Sequence, residues 1–261
     1  MSFVLFLYAC GTSAVVSVDP SLPRDDGLHT PLLSTQTSGE TEPNLDSSDA
    51  KANAAQCSEA LSVGCGTLAT NRVIFLNGAS SSGKTTRARA LQDTLERPYL
   101  LIGLDTVIGM MPPKNNTWEI DEKTDGFWLK AARDADGHRL VYLHDGPLAH
   151  QMYELLRQLV LTTLEAGHNA IVDEVCLTHD RFQAWQEALA PYKTLYVGVT
   201  ADIATRERRE KQRGDRRLGL TRAQGQTVHQ DNVYDLWQDT THASPQVCAE
   251  TVCAYLTGKG T

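Results

Sequence analysis

Residues 78–85 read Gly-Ala-Ser-Ser-Ser-Gly-Lys-Thr, a complete G-x-x-x-x-G-K-[ST] run, and nothing else in the chain restricts its fold as tightly. The run follows Arg72-Val73-Ile74-Phe75-Leu76-Asn77, an apolar stretch ending on a polar residue, the pattern of a strand covered on both faces of a parallel sheet. Gly78 and Gly83 let the backbone wrap tightly, so that its N–H groups converge on an anion at the positive end of the following helix. Gly78, Ala79, Ser80, Ser81, Ser82, Gly83, Lys84, Thr85 and Thr86 are therefore the candidate phosphate-binding residues. Lys84 is expected to reach the β- and γ-phosphates of ATP, and Thr85 to place its hydroxyl on a Mg2+ that bridges them. A helix is expected over 86–96, with Ala88, Leu91 and Leu95 on one face, ending ahead of Pro98. Strand, loop and helix in this order set the run apart from a chance Ser/Gly-rich turn.

A second apolar strand, Tyr99 to Leu104, delivers Asp105 to the carboxyl edge of the sheet, where open α/β sheets bind ligands. Asp105 is a candidate base for the proton of an attacking hydroxyl; the alternative is a cap on the next helix or turn. A long amphipathic helix carrying Leu148, Met152, Leu155, Leu156, Leu159, Val160 and Leu164 closes at Gly167. The strand His168 to Glu174 then ends in two acids. Asp173 is the candidate Mg2+ partner of Thr85, whereas Glu174 reads more readily as a cap. Thr178 opens a helix with Phe182, Trp185 and Leu189 inward, Thr194 to Thr200 and Asp235 to Thr240 read as strands, and Ser244-Pro245 starts a last helix. Such alternation predicts an α/β fold of parallel βαβ units.

After Asp202 comes a basic cluster: Arg206, Arg208, Arg209, Lys211, Arg213, Arg216 and Arg217. Arg213 and Arg216 flank Gly214-Asp215, where a lid would close a positive charge over a transferring phosphoryl group, so both are candidate catalytic residues. The other arginines read as a solvated face. A formal net charge of -8 argues against a surface that coats long nucleic acid, because such surfaces are built from Lys and Arg. The six cysteines show no C-x-x-C pair and no zinc-type Cys/His spacing; Cys176, in an apolar strand, and Cys248 and Cys253, in the last helix, read as small buried hydrophobes. Met1 to Leu7 is apolar but too short to span a bilayer and has no basic residue ahead of it, so no membrane partner is expected. Asp19 to Ala69 is rich in Ser, Thr, Asp, Pro and Gly without hydrophobic periodicity. Residues 1–70 are thus expected to be a disordered leader, a mis-assigned start or an unrecognised targeting segment, and 71–261 a folded kinase-type domain in the cytoplasm, where ATP is available.

Several blocks, in order, resemble the chloramphenicol phosphotransferase family of P-loop kinases. They are Val73 to Lys84, Gly103-Leu104-Asp105-Thr106, Met111-Pro112-Pro113-Lys114, Ile171 to Val175, Tyr196 to Val199, Arg213-Gly214-Asp215-Arg216 with Gly219, Val228-His229, Tyr234-Asp235 and Asp239-Thr240-Thr241-His242. The resemblance implies a P-loop three-layer sandwich with a five-stranded parallel sheet of order 2-3-1-4-5 and an arginine-rich helical lid. It also implies ATP with Mg2+, and transfer of the γ-phosphoryl group to the 3-hydroxyl of chloramphenicol, which inactivates the antibiotic. Asp105 matches the family's base, and Arg213 and Arg216 its lid arginines. The chain departs from the family between Asn115 and Gly146, a stretch expected to line the acceptor pocket with Trp118, Phe127, Trp128 and the pair His144-Asp145. Two rival readings are a kinase of another small metabolite or nucleoside on the same scaffold, and an ATP-binding regulatory protein. A base at Asp105 favours an enzyme, since a switch needs none.

Overall fold

A computed structural model describes residues 72–214 and 217–257 of the 261-residue chain; residues 1–70, expected to be a leader, and Arg216, expected to be a lid arginine, lie outside the described residues. Five strands form one parallel sheet: β1 (Arg72–Asn77), β2 (Tyr99–Gly103), and further along the chain the strands Asn169–Glu174, Lys193–Thr200 and Leu236–Asp239. A separate hairpin, β3 (Phe127–Arg133) and β4 (Arg139–Asp145), intervenes, so the three later sheet strands are β5, β6 and β7. The spatial order is β2-β5-β1-β6-β7, which in chain order of the sheet strands is 2-3-1-4-5, as the resemblance implied.

The strands sit where they do because β1 is apolar on both faces, and Val73 to Asn77 are completely buried. Val73 and Phe75 face one layer, built by helices α2 (Leu104–Met110), α3 (Pro147–Glu165) and α4 (His179–Leu189), through Val107, Leu156, Val160, Trp185 and Leu189. Ile74 and Leu76 face the other, built by α1 (Lys84–Thr94) and the terminal helix Pro245–Leu256, through Ala88, Leu91, Ala249 and Val252. The period of two along the strand thus makes a three-layer molecule. Phe75 meets the rings of Trp185, Tyr196 and Phe182 at 5.3, 5.6 and 5.8 Å, and its burial contributes about 1.5–3 kcal/mol. Between β6 and β7 lie α5 (Ile203–Arg213) and the short α6 (Leu220–Gln224); Pro245–Leu256 is then α7.

Helix α1 begins at Lys84 and ends at Thr94, earlier at both ends than expected. Gly83 takes φ 91°, which turns the chain straight from the loop into the helix. Cys176 follows β5 instead of lying within it; it is buried and donates its backbone N–H to Asn77 Oδ1 at 2.8 Å.

The hairpin is the element that the sequence reading did not anticipate. Its turn is held by the Asp134 carboxylate, which accepts the N–H groups of Asp136 and His138, and by Gly137 at φ 81°. Leu129 and Val141 pack with Leu220 of α6, and Val141 donates its N–H to Gly219 O at 3.1 Å. The hairpin therefore props the segment at Gly219 and Leu220 that opens α6. Among the described residues no helix is long and apolar enough to cross a membrane.

Candidate active site

Parallel register brings the carboxyl ends of three strands level: Gly103 of β2 pairs with Asp173 of β5, which pairs with Leu76 of β1. The loop after β1, Asp173, and Asp105 in the first turn of α2 therefore share one edge of the sheet. They line a single cavity of 690 Å³, together with Arg213 at the end of α5.

The loop itself is tightly constrained. A Cβ on Gly78 would stand 2.2 Å from Val199 O, so only glycine lets the chain cross β6 there. Lys84 is 6% exposed, and its ammonium donates to Gly78 O at 2.8 Å and Ala79 O at 3.0 Å, with Asp173 Oδ1 3.9 Å away. Thr85 Oγ1 donates to Asp173 Oδ2 at 2.5 Å. A hydroxyl and a carboxylate that converge at the phosphate loop are the hard oxygen donors that Mg2+ prefers, so these residues fit that ion.

Three loop residues are held from outside by groups the sequence reading passed over. Gln224 Oε1 accepts the Ser80 N–H at 2.7 Å, and Thr221 Oγ1 donates to Ser80 O at 2.6 Å. Thr240 Oγ1 donates to Ser82 O at 2.7 Å, and Arg209 donates to Thr240 O at 2.7 Å, to Thr240 Oγ1 at 2.9 Å and, more weakly, to Ser81 O at 3.5 Å. Arg206 donates to Ala201 O at 3.0 Å and Thr221 O at 2.8 Å. The reading of Arg206 and Arg209 as solvated surface is thus corrected: both are half-buried ties, because α5 lies against the loop and α6. Thr240 carried a signal, as part of the Asp239-Thr240-Thr241-His242 block; Thr221 and Gln224 carried none.

Beyond Asp105 the cavity continues toward β4 and α4. Trp118, at the mouth, and Leu143 line it, but Phe127 is completely buried against Tyr153 and Trp128 stacks on His144 at 4.4 Å. The expectation that Phe127, Trp128 and His144 line the acceptor pocket is therefore not met: hairpin alternation turns Phe127 inward and pairs the other two with each other across the strands. Asp145 does contribute, through partners. It accepts the Tyr153 hydroxyl at 2.9 Å and Arg181 Nη2 at 2.6 Å, and the guanidinium lies 3.9 Å from the centre of the Tyr153 ring. Burial pushes the Tyr153 hydroxyl far above its ordinary range. Burial also opposes the charge of Arg181, but Tyr153, Asp145 and Glu174 outweigh it and hold that proton more tightly. Glu174 is completely buried; its Oε1 accepts the Val175 N–H, and desolvation raises its pKa.

A parallel sheet carrying this loop on its central strand, with a carboxylate on the neighbouring strand touching the loop threonine, defines a P-loop protein of the kinase type. The profile described as "Chloramphenicol phosphotransferase-like protein" matches residues 71–257. The chain belongs to that family and is a phosphotransferase. A candidate O-phosphotransferase of Mycobacterium tuberculosis is 31% identical over 177 residues, which is 65% of this chain and 75% of the relative. The M. tuberculosis APS kinase in complex with AMPPNP and APS shares the fold, with TM-score 0.50 and 12% identity over 72% of this chain and 98% of that one. A candidate kinase from Chloroflexus aurantiacus overlaps with TM-score 0.49 and 18% identity, over 75% of this chain and all of its own (100%).

Proposed function

We propose that this phosphotransferase moves the γ-phosphoryl group of ATP to the hydroxyl of a small uncharged alcohol, with the 3-hydroxyl of chloramphenicol as the first acceptor to test. The observation that carries this reading is that Asp105, Lys84, the Thr85–Asp173 pair and Arg213 all line one 690 Å³ cavity, a volume suited to a nucleotide tail and a drug-sized acceptor.

In this reading the acceptor oxygen attacks the γ-phosphorus, its proton passes to Asp105, and the bond from phosphorus to the β,γ-bridging oxygen breaks to release ADP. Lys84 and Arg213 balance the negative charge on the transferring group. Arg216, the second lid arginine by resemblance, would act with them. Thr85 and Asp173 would hold Mg2+, which supplies charge neutralisation on the β- and γ-oxygens when bound. The loop N–H groups orient the phosphates, and the apolar walls Leu143 and Leu177 keep water from competing for the phosphoryl group. Inactivation of an antibiotic and a cytoplasmic site of action follow if chloramphenicol is the acceptor.

The test is to incubate the purified protein with Mg2+, ATP and chloramphenicol and to look by mass spectrometry for one added phosphoryl group. The product is expected. ATP consumption with no phosphorylated chloramphenicol would contradict this acceptor, and nucleotide binding with neither turnover nor product would favour a regulatory protein.

A further inference from the structure

The hydrogen bonds of Arg181 leave part of its guanidinium unused. Its backbone N–H goes to the capping Thr178 Oγ1, and Nη2 goes to Asp145. Among the described residues Nε and Nη1 meet no acceptor, and neither is among the fully enclosed polar atoms without partners. The side chain is 15% exposed and lines the cavity, which puts the guanidinium within reach of a molecule bound there. Three elements hold the group still: α4 carries it, β4 supplies Asp145, and α3 supplies the Tyr153 ring beneath it. A rigid pair of donors in a pocket walled by Trp118, Leu143, Val175 and Leu177 is a recognition device, not a surface charge.

The charge around Arg181 says what it recognises. Asp145 already neutralises it at 2.6 Å, and the buried Glu174 acts on it as well. A carboxylate or phosphate on the acceptor would meet a guanidinium whose charge Asp145 already balances, while an apolar acceptor would leave two donors unpaired beside it. We propose that Arg181 is a specificity-determining residue for the phosphoryl acceptor, donating from Nε and Nη1 to an uncharged carbonyl-type oxygen on the alcohol. This inference rests on the reading of the cavity as an acceptor pocket.

Three alcohols that differ at one position test it: 2-hydroxyacetophenone carries a carbonyl, 2-phenylethanol a methylene, and 3-hydroxy-2-phenylpropanoate a carboxylate. Their binding to the full chain in the presence of Mg2+ and the ATP analogue AMPPNP is measured by saturation-transfer NMR. The carbonyl alcohol is expected to bind on the order of tenfold more tightly than either of the others, the effect of hydrogen bonding to a charged donor. Arg181→Gln is expected to bring the carbonyl and methylene alcohols level. Equal binding of the three by the wild-type protein, or a preference for the carboxylate, overturns the proposal even if the variant does not fold. An unchanged ranking in a folded Arg181→Gln protein overturns it too. Because binding is read without turnover, failure here is separate from failure of chloramphenicol to be phosphorylated.

Discussion

His229 shows how a single residue couples the stability of the fold to pH. It follows Val228, whose carbonyl accepts the Asn77 amide, and its own Nδ1 lies 3.0 Å from the Tyr234 hydroxyl. Burial lowers its pKa from 6.5 to about 4. Between those values the unfolded chain binds a proton at this position and the folded chain does not, so this contribution to stability is present above pH 6.5 and is lost as pH falls toward 4. Replacing His229 with Gln is expected to flatten the fall in melting temperature over that window relative to wild type; parallel curves would refute the assignment. Thr85 is expected to report on the metal. Thr85→Ala should raise the Mg2+ concentration needed for half-maximal turnover on the order of 10- to 100-fold while the melting temperature holds, and an unchanged Mg2+ titration would remove Thr85 from the metal site. Residues whose positions are written in local spacing, such as Lys84 and Thr85 at the junction of loop and helix, were legible from sequence alone. Arg209 and Gln224 were not, because they reach the loop across 128 and 144 residues of chain and nothing in their own neighbourhoods differs from an ordinary helix.

At the scale of elements, the parallel strands could be read because each is apolar on both faces and is followed by a helix with one apolar side. The hairpin could not. Only Phe127, Leu129, Leu140 and Val141 of its two strands are buried, and Lys130 to Arg133 are exposed throughout, so the alternation that marks a strand stops after three residues. Its purpose emerges from what it touches, the segment around Gly219 and Leu220 that opens α6. Glu210 of α5 secures the same segment: it is 1% exposed and accepts the N–H groups of Gly219 and Thr221, both at 2.8 Å. Glu210→Ala strands two buried donors and should cost about 2–4 kcal/mol in urea unfolding. Because Thr221 holds Ser80, the variant should also weaken ATP binding; a loss below about 0.5 kcal/mol, the range of ordinary surface substitutions, would mean that the segment is held from elsewhere.

For the molecule as a whole, the central claim is that one cleft holds a nucleotide on the loop side and an alcohol on the hairpin side, with Asp105 between them. Family membership and sheet order settle the scaffold, while residues 115–146, where this chain departs from the pattern it otherwise resembles, contribute Trp118 and Leu143 to the cavity lining, beside Tyr153, Val175, Leu177 and Arg181 from later elements. The measurement that tests the claim most directly compares the wild-type protein with Asp105→Asn for two quantities, affinity for ATP and the rate of phosphoryl transfer to an accepted alcohol. The account predicts unchanged ATP affinity and a transfer rate lower by about 10²- to 10⁴-fold, the contribution of a positioned general base. A variant that transfers at the wild-type rate would contradict it.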